Sequence, residues 1–361
     1  MIFSENYGGN PSGIGCISVL RLKDFTIKRI FCKQLLAHWL AAYDPPYIYS
    51  VGESSDLGSA DPSTLRLSLI VIDVRTLHVK YYAHPLTGDA NEGISILVES
   101  DKIIIGERVG GGIEGRIPGG GGLWVIPKHR IYDWSSWKRV YEDPNRREWD
   151  RIFKIGDTYY ARLGNDIVRG TTLTDWTVID TAYDVDAWGD TLIYVRPTPN
   201  GTLGIYSLSG LIEDLGLPPQ PTRIHLVGKT LIILYGVKPV RVLVKDLTQP
   251  GYNEIGVLDR HLARASFARP RSSLIALGFN NGSLNPYIPQ APGSIVIYDL
   301  GLPAVSISYD GEIAVVNGPD PIKIYDVRAV AQNSKYLGML VAETQPGNIK
   351  VPGKRILVAS L

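Results

Sequence analysis

Five aromatic and basic residues in the middle of the chain are the best candidates for a binding site. They are Trp134, Trp137, Arg139, Arg146 and Arg147. The two tryptophans stand in the polar context YDWSSWKR, which favours a place on the surface over one in the core. Aromatic rings beside arginine suit protein interfaces, and they also suit stacking on sugar rings. We therefore predict a contact surface here, for a protein or for a carbohydrate.

Residues that perform catalysis or bind metals form no recognised pattern in this chain. The sequence lacks the GxSxG motif of a serine nucleophile, the HExxH spacing of zinc ligands and any CxxC. Six acids near the starts of predicted strands are the candidates for a pair of catalytic carboxylates: Asp44, Glu53, Glu92, Asp150, Asp184 and Asp186. Six among 36 acids are no enrichment. We therefore predict no catalytic residue, no metal site and no cofactor, and favour a protein that is not an enzyme.

The spacing of the two cysteines allows them to face one another. If a hairpin turns at residues 23–25, Leu22 lies opposite Thr26 and Cys16 lies opposite Cys32. Opposed residues of antiparallel strands have Cβ atoms about 4.5–5.5 Å apart, close to the reach of a disulfide. Two interpretations stay open: a Cys16–Cys32 disulfide, or two buried thiols that pack as small hydrophobic side chains.

A short phrase of two β-formers, an aspartate and an apolar residue recurs along the chain. The copies are LKDF at Leu22–Phe25, VIDV at Val71–Val74, VKDL at Val244–Leu247, IYDL at Ile297–Leu300 and IYDV at Ile324–Val327. Each copy closes a run of strand-forming residues, so we expect its aspartate to accept hydrogen bonds from backbone N–H groups of the following turn. A repeated strand-and-turn unit predicts an all-β protein, a single β-propeller.

A second recurring signal is a glycine between the first and second strands of a unit. It stands in IGDTYY at Ile155–Tyr160, WGDTLI at Trp188–Ile193, VGKTLI at Val227–Ile232 and YDGEIA at Tyr309–Ala314. A two-residue connection between twisted antiparallel strands needs positive φ angles, which glycine supplies. We therefore predict tight hairpins at these places.

The number of third strands predicts eight blades, and the short spacing near the end of the chain leaves seven as the alternative. Asp299 and Asp326 are only 27 residues apart, which is short for four strands. The last strand-like segment, Lys354–Ala359, has no partner of its own, so we expect it to join the first blade and close the ring. Residues 1–361 then form one domain, with inserted loops at Ser54–Thr64, Arg108–Gly122, Asp143–Glu148 and Asn280–Gly293.

The chain resembles the broad class of β-propeller repeat proteins. The third strands IYDL and IYDV look like those of WD-repeat-like and YVTN-like propellers. The fourth unit, at Gly156–Trp176, looks like a blade of sialidase-type and other glycan-associated propellers, with Thr172–Trp176 in the place of their SxDxGxxW box. The resemblance implies the propeller fold, and we carry over no catalytic residue from it.

Charge and hydropathy narrow the function classes further. The net charge of +1 disfavours nucleic-acid binding, and no apolar run approaches the roughly 18 residues of a membrane span. Met1–Asn6 is unlike a secretory signal, so we expect a soluble protein.

We favour a non-enzymatic binding or assembly propeller with protein partners, such as a virion, tail or other extracellular component, rather than a cytoplasmic protein. The alternatives are a carbohydrate-binding or glycan-cleaving propeller and an intracellular scaffold. Few Cys and Met with abundant Ile, Val, Tyr and Arg are compatible with a heat-adapted source.

Overall fold

The fold is made of β-strands. The structure, a computed structural model, describes residues 2–5, 14–21, 26–55, 65–85, 93–107 and 121–258, and beyond residue 258 it describes strands alone. Within these ranges the helical elements are two short 3-10 turns, Lys128–Arg130 and Trp134–Ser136. Neither is long and apolar enough to cross a membrane. The all-β prediction is confirmed.

The strands follow one another at short intervals. In the first half of the chain they are β1 (Ile2–Glu5), β2 (Ile14–Arg21), β3 (Thr26–Gln34), β4 (Ala37–Asp44), β5 (Tyr47–Ser55), β6 (Leu65–Asp73), β7 (His78–Ala83), β8 (Gly93–Val98), β9 (Lys102–Glu107), β10 (Gly122–Pro127), β11 (Lys138–Glu142), β12 (Trp149–Ile155), β13 (Thr158–Leu163), β14 (Asp166–Gly170) and β15 (Thr177–Thr181). In the second half they are β16 (Asp184–Trp188), β17 (Thr191–Pro197), β18 (Leu203–Ser207), β19 (Gly210–Asp214), β20 (Thr222–Val227), β21 (Thr230–Tyr235), β22 (Val240–Asp246), β23 (Asn253–Leu258), β24 (Ala265–Ala268), β25 (Ile275–Phe279), β26 (Leu284–Ile288), β27 (Val296–Ile297), β28 (Ser306–Tyr309), β29 (Ile313–Asn317), β30 (Lys323–Asp326), β31 (Met339–Glu343) and β32 (Val358–Ala359).

The described strands pair into eight four-stranded antiparallel sheets, which we number along the chain. Sheet 1 has the order β32-β1-β2-β3, with Ile2 opposite Ala359 and Phe3 opposite Val358. Sheets 2 to 8 are the consecutive groups of four strands from β4–β7 to β28–β31. We call β32, β4, β8, β12, β16, β20, β24 and β28 the first strands of their sheets. First strands of neighbouring sheets lie against one another, as β4 does with β8 and β16 with β20.

In sheets 4, 5 and 6, tight turns containing glycine join the first and second strands, as predicted. Gly156, Gly189 and Gly228 have φ angles of 59°, 56° and 58°, in the left-handed region that glycine adopts without strain. At the first of them Ile155 pairs with Thr158, so the loop has two residues. A short turn fixes the register of both strands and therefore which residues of the second strand face the core.

The aspartates that end third strands cap the following turns, as predicted for the copies that the structure describes. Oδ1 of Asp73 accepts a hydrogen bond from the backbone N–H of Arg75 (2.9 Å), and Oδ1 of Asp246 accepts one from Thr248 (2.8 Å). Asp24 and Asp299 lie outside the described residues. Of Asp326 the backbone alone is described, as the end of β30.

The hydrophobic core lies between consecutive sheets. Ile17 of sheet 1 packs in one cluster with Ile48 of sheet 2, and Leu123 of sheet 3 packs with Trp149 of sheet 4. Further clusters join sheets 2 and 3, sheets 4 and 5, and sheets 5 and 6. Because sheets 2 to 5 each pack against a neighbour on both faces, their strands carry continuous apolar runs such as III in β9.

Fourth strands carry a β-bulge at the same place in six sheets. In each, one residue of the fourth strand has no counterpart in the third, and that residue is always isoleucine or valine. The residues are Ile30, Val140, Ile179, Ile212, Ile255 and Val341. A bulge bends and twists a free edge, so that another strand pairs with it less readily.

Three of the predicted inserted loops have different limits in the structure. Ser54 and Ser55 belong to β5 and pair with β6, so this loop cannot start before residue 56. Gly122 likewise opens β10. The predicted loop Asn280–Gly293 contains a strand, β26 (Leu284–Ile288), which pairs with β25 and β27. Residues 56–64, 108–120, 280–283 and 289–293 of the predicted loops lie outside the described residues. The segment Asp143–Glu148 is described and is an ordered corner rather than an open loop.

Cys16 and Cys32 face one another and are joined by a disulfide. The predicted pairing is right at the cysteines but wrong at the turn, where Thr26 pairs with Arg21 instead of Leu22. The bulge at Ile30 adds one residue to β3 and restores the register before the cysteines. The disulfide therefore depends on a bulge that the simple hairpin did not contain.

The first prediction concerns this disulfide. Reduction should lower the free energy of unfolding by about 3 kcal/mol, because the bond closes a loop of roughly 15 residues in the unfolded chain. Urea unfolding with and without dithiothreitol measures the difference. In the Cys16→Ser/Cys32→Ser variant the reductant should have no effect. An unchanged urea midpoint in the reduced wild type would show that the bond adds nothing to stability.

The second prediction concerns His38, which is fully buried in sheet 2. Its ring nitrogens lie 2.9 Å from the hydroxyls of Ser50 and Ser68. Burial lowers its pKa from 6.5 to about 3. The unfolded state therefore binds more protons between pH 6.5 and 3, and stability falls as the pH falls through that window.

At pH 5 the loss attributable to His38 should be on the order of 2 kcal/mol relative to pH 7. Urea unfolding at the two pH values measures it. The His38→Gln variant should lose less stability on acidification than the wild type, whereas the exposed control His129→Gln should match the wild type. Equal pH dependence of the wild type and His38→Gln would contradict this assignment.

Candidate binding site

Side chains from neighbouring sheets satisfy the free backbone groups of the first strands. Arg151 on β12 donates from Nη1 to the carbonyl oxygen of Val185 on β16 (2.7 Å). Asp186 on β16 accepts from the backbone N–H of Leu226 on β20 (2.8 Å). Asp184 does the same for Ile224 (2.9 Å). A first strand has no strand on its open side, so its inward N–H and C=O groups need such partners.

The same side chains form a buried network of charges across sheets 4 to 6. Asp184 and Asp186 are 2% and 3% exposed. Arg151 lies 3.7 Å from Asp184 and 3.2 Å from Asp186, and Nδ1 of His225 lies 3.0 Å from Oδ2 of Asp186. Arg162 contacts Oδ1 of Asp184 at 3.5 Å. Both carboxylates are therefore engaged by backbone and guanidinium donors, which is a structural role.

The remaining acids that the sequence suggested are not collected in one place. Asp150 joins the network through Arg162 (2.6 Å), whereas Asp44 pairs with Lys128 in the 3-10 turn that follows β10 (2.6 Å). Glu53 is buried in β5, and Glu92 lies outside the described residues. The structure thus brings together Asp150, Asp184 and Asp186.

Arg147 is held inside an ordered corner before sheet 4. Its Nε and Nη2 atoms donate to the carboxylate of Asp143 at 3.1 and 2.9 Å, and its Nη1 atom donates to Asp166. Burial would raise the pKa of Asp143, but the hydrogen bonds from Arg147 outweigh it and lower the pKa. Arg147 is therefore a bridge between two carboxylates, not the open contact residue that the sequence suggested.

A polar recess lies beside this corner, at the face where the first strand of sheet 4 begins. It has a volume of about 340 Å³ and is lined by Arg147, Glu148, Asp150, Arg162, Gly164 and Asn165. Asp150 is an extra residue in β12, since Trp149 pairs with Leu163 and Arg151 with Arg162. Bulges often redirect a side chain next to a site. Sequence analysis missed this recess, because its residues come from the Asp143–Glu148 corner, from β12 and β13, and from the turn after β13.

The segment Lys128–Trp137, which we call the Trp134 loop, connects β10 to β11. It exposes two aromatic side chains: Tyr132 is 71% exposed and Trp134 is 46% exposed. Trp137 is 3% exposed, and its Nε1 donates to the carbonyl oxygen of Ile131 (3.1 Å). The surface position expected for Trp137 is thus wrong, because its indole fills the core between sheets 2 and 3.

Hydrogen bonds within the Trp134 loop hold its shape. Asp133 accepts from the backbone N–H of Ser135 (3.0 Å) and pairs with Arg130 (2.5 Å). The hydroxyl of Ser136 lies within hydrogen-bond distance of the carbonyl oxygens of Arg130 (2.9 Å) and Asp133 (2.7 Å), and its single proton is shared between them. The exposed rings of Tyr132 and Trp134 are therefore presented by a fixed backbone.

Beneath the loop, Trp134 rests on a buried histidine. The ring centroids of His84 and Trp134 are 5.6 Å apart with an edge-on geometry, and those of His84 and Trp124 are 4.9 Å apart. His84 is 4% exposed, and burial lowers its pKa from 6.5 to about 4. At neutral pH the support under Trp134 is therefore an uncharged ring.

The other two arginines of the predicted surface lie apart from Trp134. Arg139 is mostly covered and donates to the fully buried carboxylate of Glu107 at 3.0 Å. Glu107 also accepts from Nε1 of Trp124 (2.6 Å), so this arginine belongs to the interior. Arg146 is exposed, with φ of 54°. Tyr132 is an exposed aromatic residue that the sequence analysis did not single out, although it opens the YDWSSWKR motif.

The turn that resembles the sialidase-type box is closed by its own hydrogen bonds. Asp175 accepts from the backbone N–H and the hydroxyl of Thr172 at 2.7 and 2.6 Å. These bonds lower the pKa of Asp175 to about 2. Nε1 of Trp176 donates to Leu173, and its ring packs edge-on against Trp149. The turn therefore fastens β14 to β15.

Comparison with known proteins supports the fold and no more. No family model and no curated protein matches the chain. Apo AztD from Citrobacter koseri is similar in structure, with a TM-score of 0.54 and 13% identity over 99% of this chain and 96% of that chain. Saccharomyces cerevisiae Sqt1 has a TM-score of 0.51 and 11% identity over 82% of this chain and 84% of that one. These likenesses show that the chain has the β-propeller fold.

The third prediction tests the network between the first strands. Asp186→Ala should lower the free energy of unfolding by about 3–5 kcal/mol, because it leaves Arg151 and the N–H of Leu226 without their buried acceptor. Chemical denaturation measures the change. Asp157→Ala, in an exposed turn, should stay within about 0.5 kcal/mol of the wild type. Similar stabilities of the two variants would show that the network is dispensable.

Proposed function

We propose that this protein is a non-enzymatic binding propeller that docks a protein partner through the Trp134 loop. The observation that carries the proposal is the exposure of Tyr132 and Trp134 on a segment whose backbone is fixed by its own hydrogen bonds. Tryptophan and tyrosine are the side chains that most often dominate binding energy at protein interfaces. A fixed loop loses little conformational entropy when it binds.

We also propose that the eight sheets are arranged as a closed ring. In it, the eight sheets are eight blades of one domain comprising residues 1–361, and the pairing of β32 with β1 closes the ring. The pairing of β32 with β1 supports this arrangement, since it covers an edge of β1 that would otherwise be free. A closed ring also gives the Trp134 loop a rigid base.

The disulfide supports an oxidising compartment for the protein. Disulfides persist in secreted proteins and on virion or cell surfaces, and they are rare in the cytosol of mesophiles. The bond between Cys16 and Cys32 therefore favours an extracellular or virion component over an intracellular scaffold.

Carbohydrate binding by the same loop is the second candidate. The rings of Tyr132 and Trp134 also suit stacking on the apolar face of a sugar. The neighbouring polar side chains, Asp133 and Ser135, are hydrogen-bonded to each other. Because few hydrogen-bonding groups remain to select a sugar, we rank a protein partner first.

The fourth prediction tests the docking loop. Trp134→Ala and Tyr132→Ala should each weaken binding of the partner by tenfold or more, as expected for a residue at the centre of an interface. The partner is recovered with the full chain from its native particle or envelope, identified by mass spectrometry, and its affinity is then measured with purified components. The matched control is Trp188→Ala, since Trp188 is 41% exposed but lies on sheet 5.

Equal affinity of all three variants for that partner would overturn the role of the loop. A glycan-array signal that Trp134→Ala removes, without any protein partner, would favour the carbohydrate candidate instead. The native source should also show the chain associated with a particle or envelope. A chain that is monomeric and without partners there would contradict the assembly function.

A further inference from the structure

We propose that the polar recess beside Asp150 is a second binding site, which takes a neutral polyhydroxylated ligand such as a single monosaccharide unit. The site is independent of the Trp134 loop. Its volume of about 340 Å³ falls within the range of roughly 300–1,000 Å³ that is typical of small-molecule sites. Polar side chains, rather than apolar ones, supply most of its named lining.

Both hydrogen-bond donors and hydrogen-bond acceptors remain available to a ligand in this recess. Arg162 uses Nη1 for both of its contacts, to Asp150 and to Asp184, and Nη2 has no hydrogen bond to the described residues. Asp150 receives Arg162 through Oδ2, and its side chain is 39% exposed. The amide side chain of Asn165 has no hydrogen bond to the described residues.

An arginine, a carboxylate and an amide side by side match two adjacent hydroxyl groups. Each hydroxyl donates one hydrogen bond and accepts others, so it can bind a carboxylate and a guanidinium together. The guanidinium and carboxylate form charge-assisted hydrogen bonds, which are the stronger kind. A vicinal diol therefore fits the groups offered by Asp150, Arg162 and Asn165.

The charges around the recess favour a neutral ligand over an anion. Its two guanidinium groups, on Arg147 and Arg162, are paired with four carboxylates: Asp143, Asp150, Asp166 and Asp184. The recess therefore has no unpaired positive charge that could bind a phosphate or a carboxylate ligand. A metal ion would have to displace guanidinium groups from the same oxygens.

The recess is also fixed in shape, which favours binding. Asp150 is set by the bulge in β12, and Arg147 by three hydrogen bonds to Asp143. Gly164 has φ of 62°, and a Cβ atom added there would lie 3.3 Å from the side chain of Arg147. The lining thus needs little ordering when a ligand enters.

The experiment is saturation-transfer NMR on the full chain with a panel of monosaccharides, followed by titration of any that bind. Asp150→Ala and Asn165→Ala should each weaken binding tenfold or more. Asn165 lies in an exposed turn, so this variant is expected to stay folded. Asp157→Ala and Trp134→Ala should bind the sugar as the wild type does, the second because the recess does not include the docking loop.

Several results would overturn the proposal. They are the absence of binding by every sugar, unchanged binding in both recess variants, and preferential binding of sulfate, glycine or calcium ions at these residues. Loss of sugar binding in Trp134→Ala would move the carbohydrate site to the docking loop. A protein partner lost in Trp134→Ala but kept in Asn165→Ala would leave the proposed function intact whatever the recess binds.

Discussion

The structure depends on satisfying the inward backbone groups of the first strands. These strands are edges, yet they are covered by neighbouring sheets, so their N–H and C=O groups cannot be left to bulk water. Sheets 4 to 6 meet this constraint with side chains of the preceding sheet: Arg151 for a carbonyl of β16, and Asp184 and Asp186 for amides of β20. Polar residues between the first strands are therefore part of what holds neighbouring sheets in register.

The fourth strands, at the other edge of each sheet, must instead avoid pairing with strands of other chains. They face solvent, and six of the eight fourth strands carry a bulge with one extra isoleucine or valine. Acids near two of these bulges reach the next sheet, since Asp180 lies 2.9 Å from Arg196 and Glu213 lies 2.6 Å from Lys245. The β-bulge of a fourth strand thus has two effects. It makes pairing with another chain less favourable, and in sheets 4 and 5 it lies beside a carboxylate that pairs with the next sheet.

The two proposed sites differ in how they are built. The Trp134 loop is one continuous segment, and its exposed rings stand in a motif that sequence reading singled out. The recess combines the Asp143–Glu148 corner, the bulge at Asp150 and the turn at Gly164, and no short sequence pattern unites them. Side chains from separate turns come together only when the register of sheet 4 is set.

The amino-acid sequence by itself determined the all-β class, the repeated unit, the turn glycines and the capping role of Asp73 and Asp246, because these follow from local backbone preferences. Tertiary structure alone decided which tryptophan is exposed, since Trp134 and Trp137 have the same polar neighbours and differ only in what packs against them. Tertiary structure also decided that two of the arginines are not free for binding. Arg139 pairs with Glu107, which is distant in the chain, and Arg147 pairs with Asp143 and Asp166. Local preference acts over a few residues, whereas burial and charge pairing depend on which strands lie side by side.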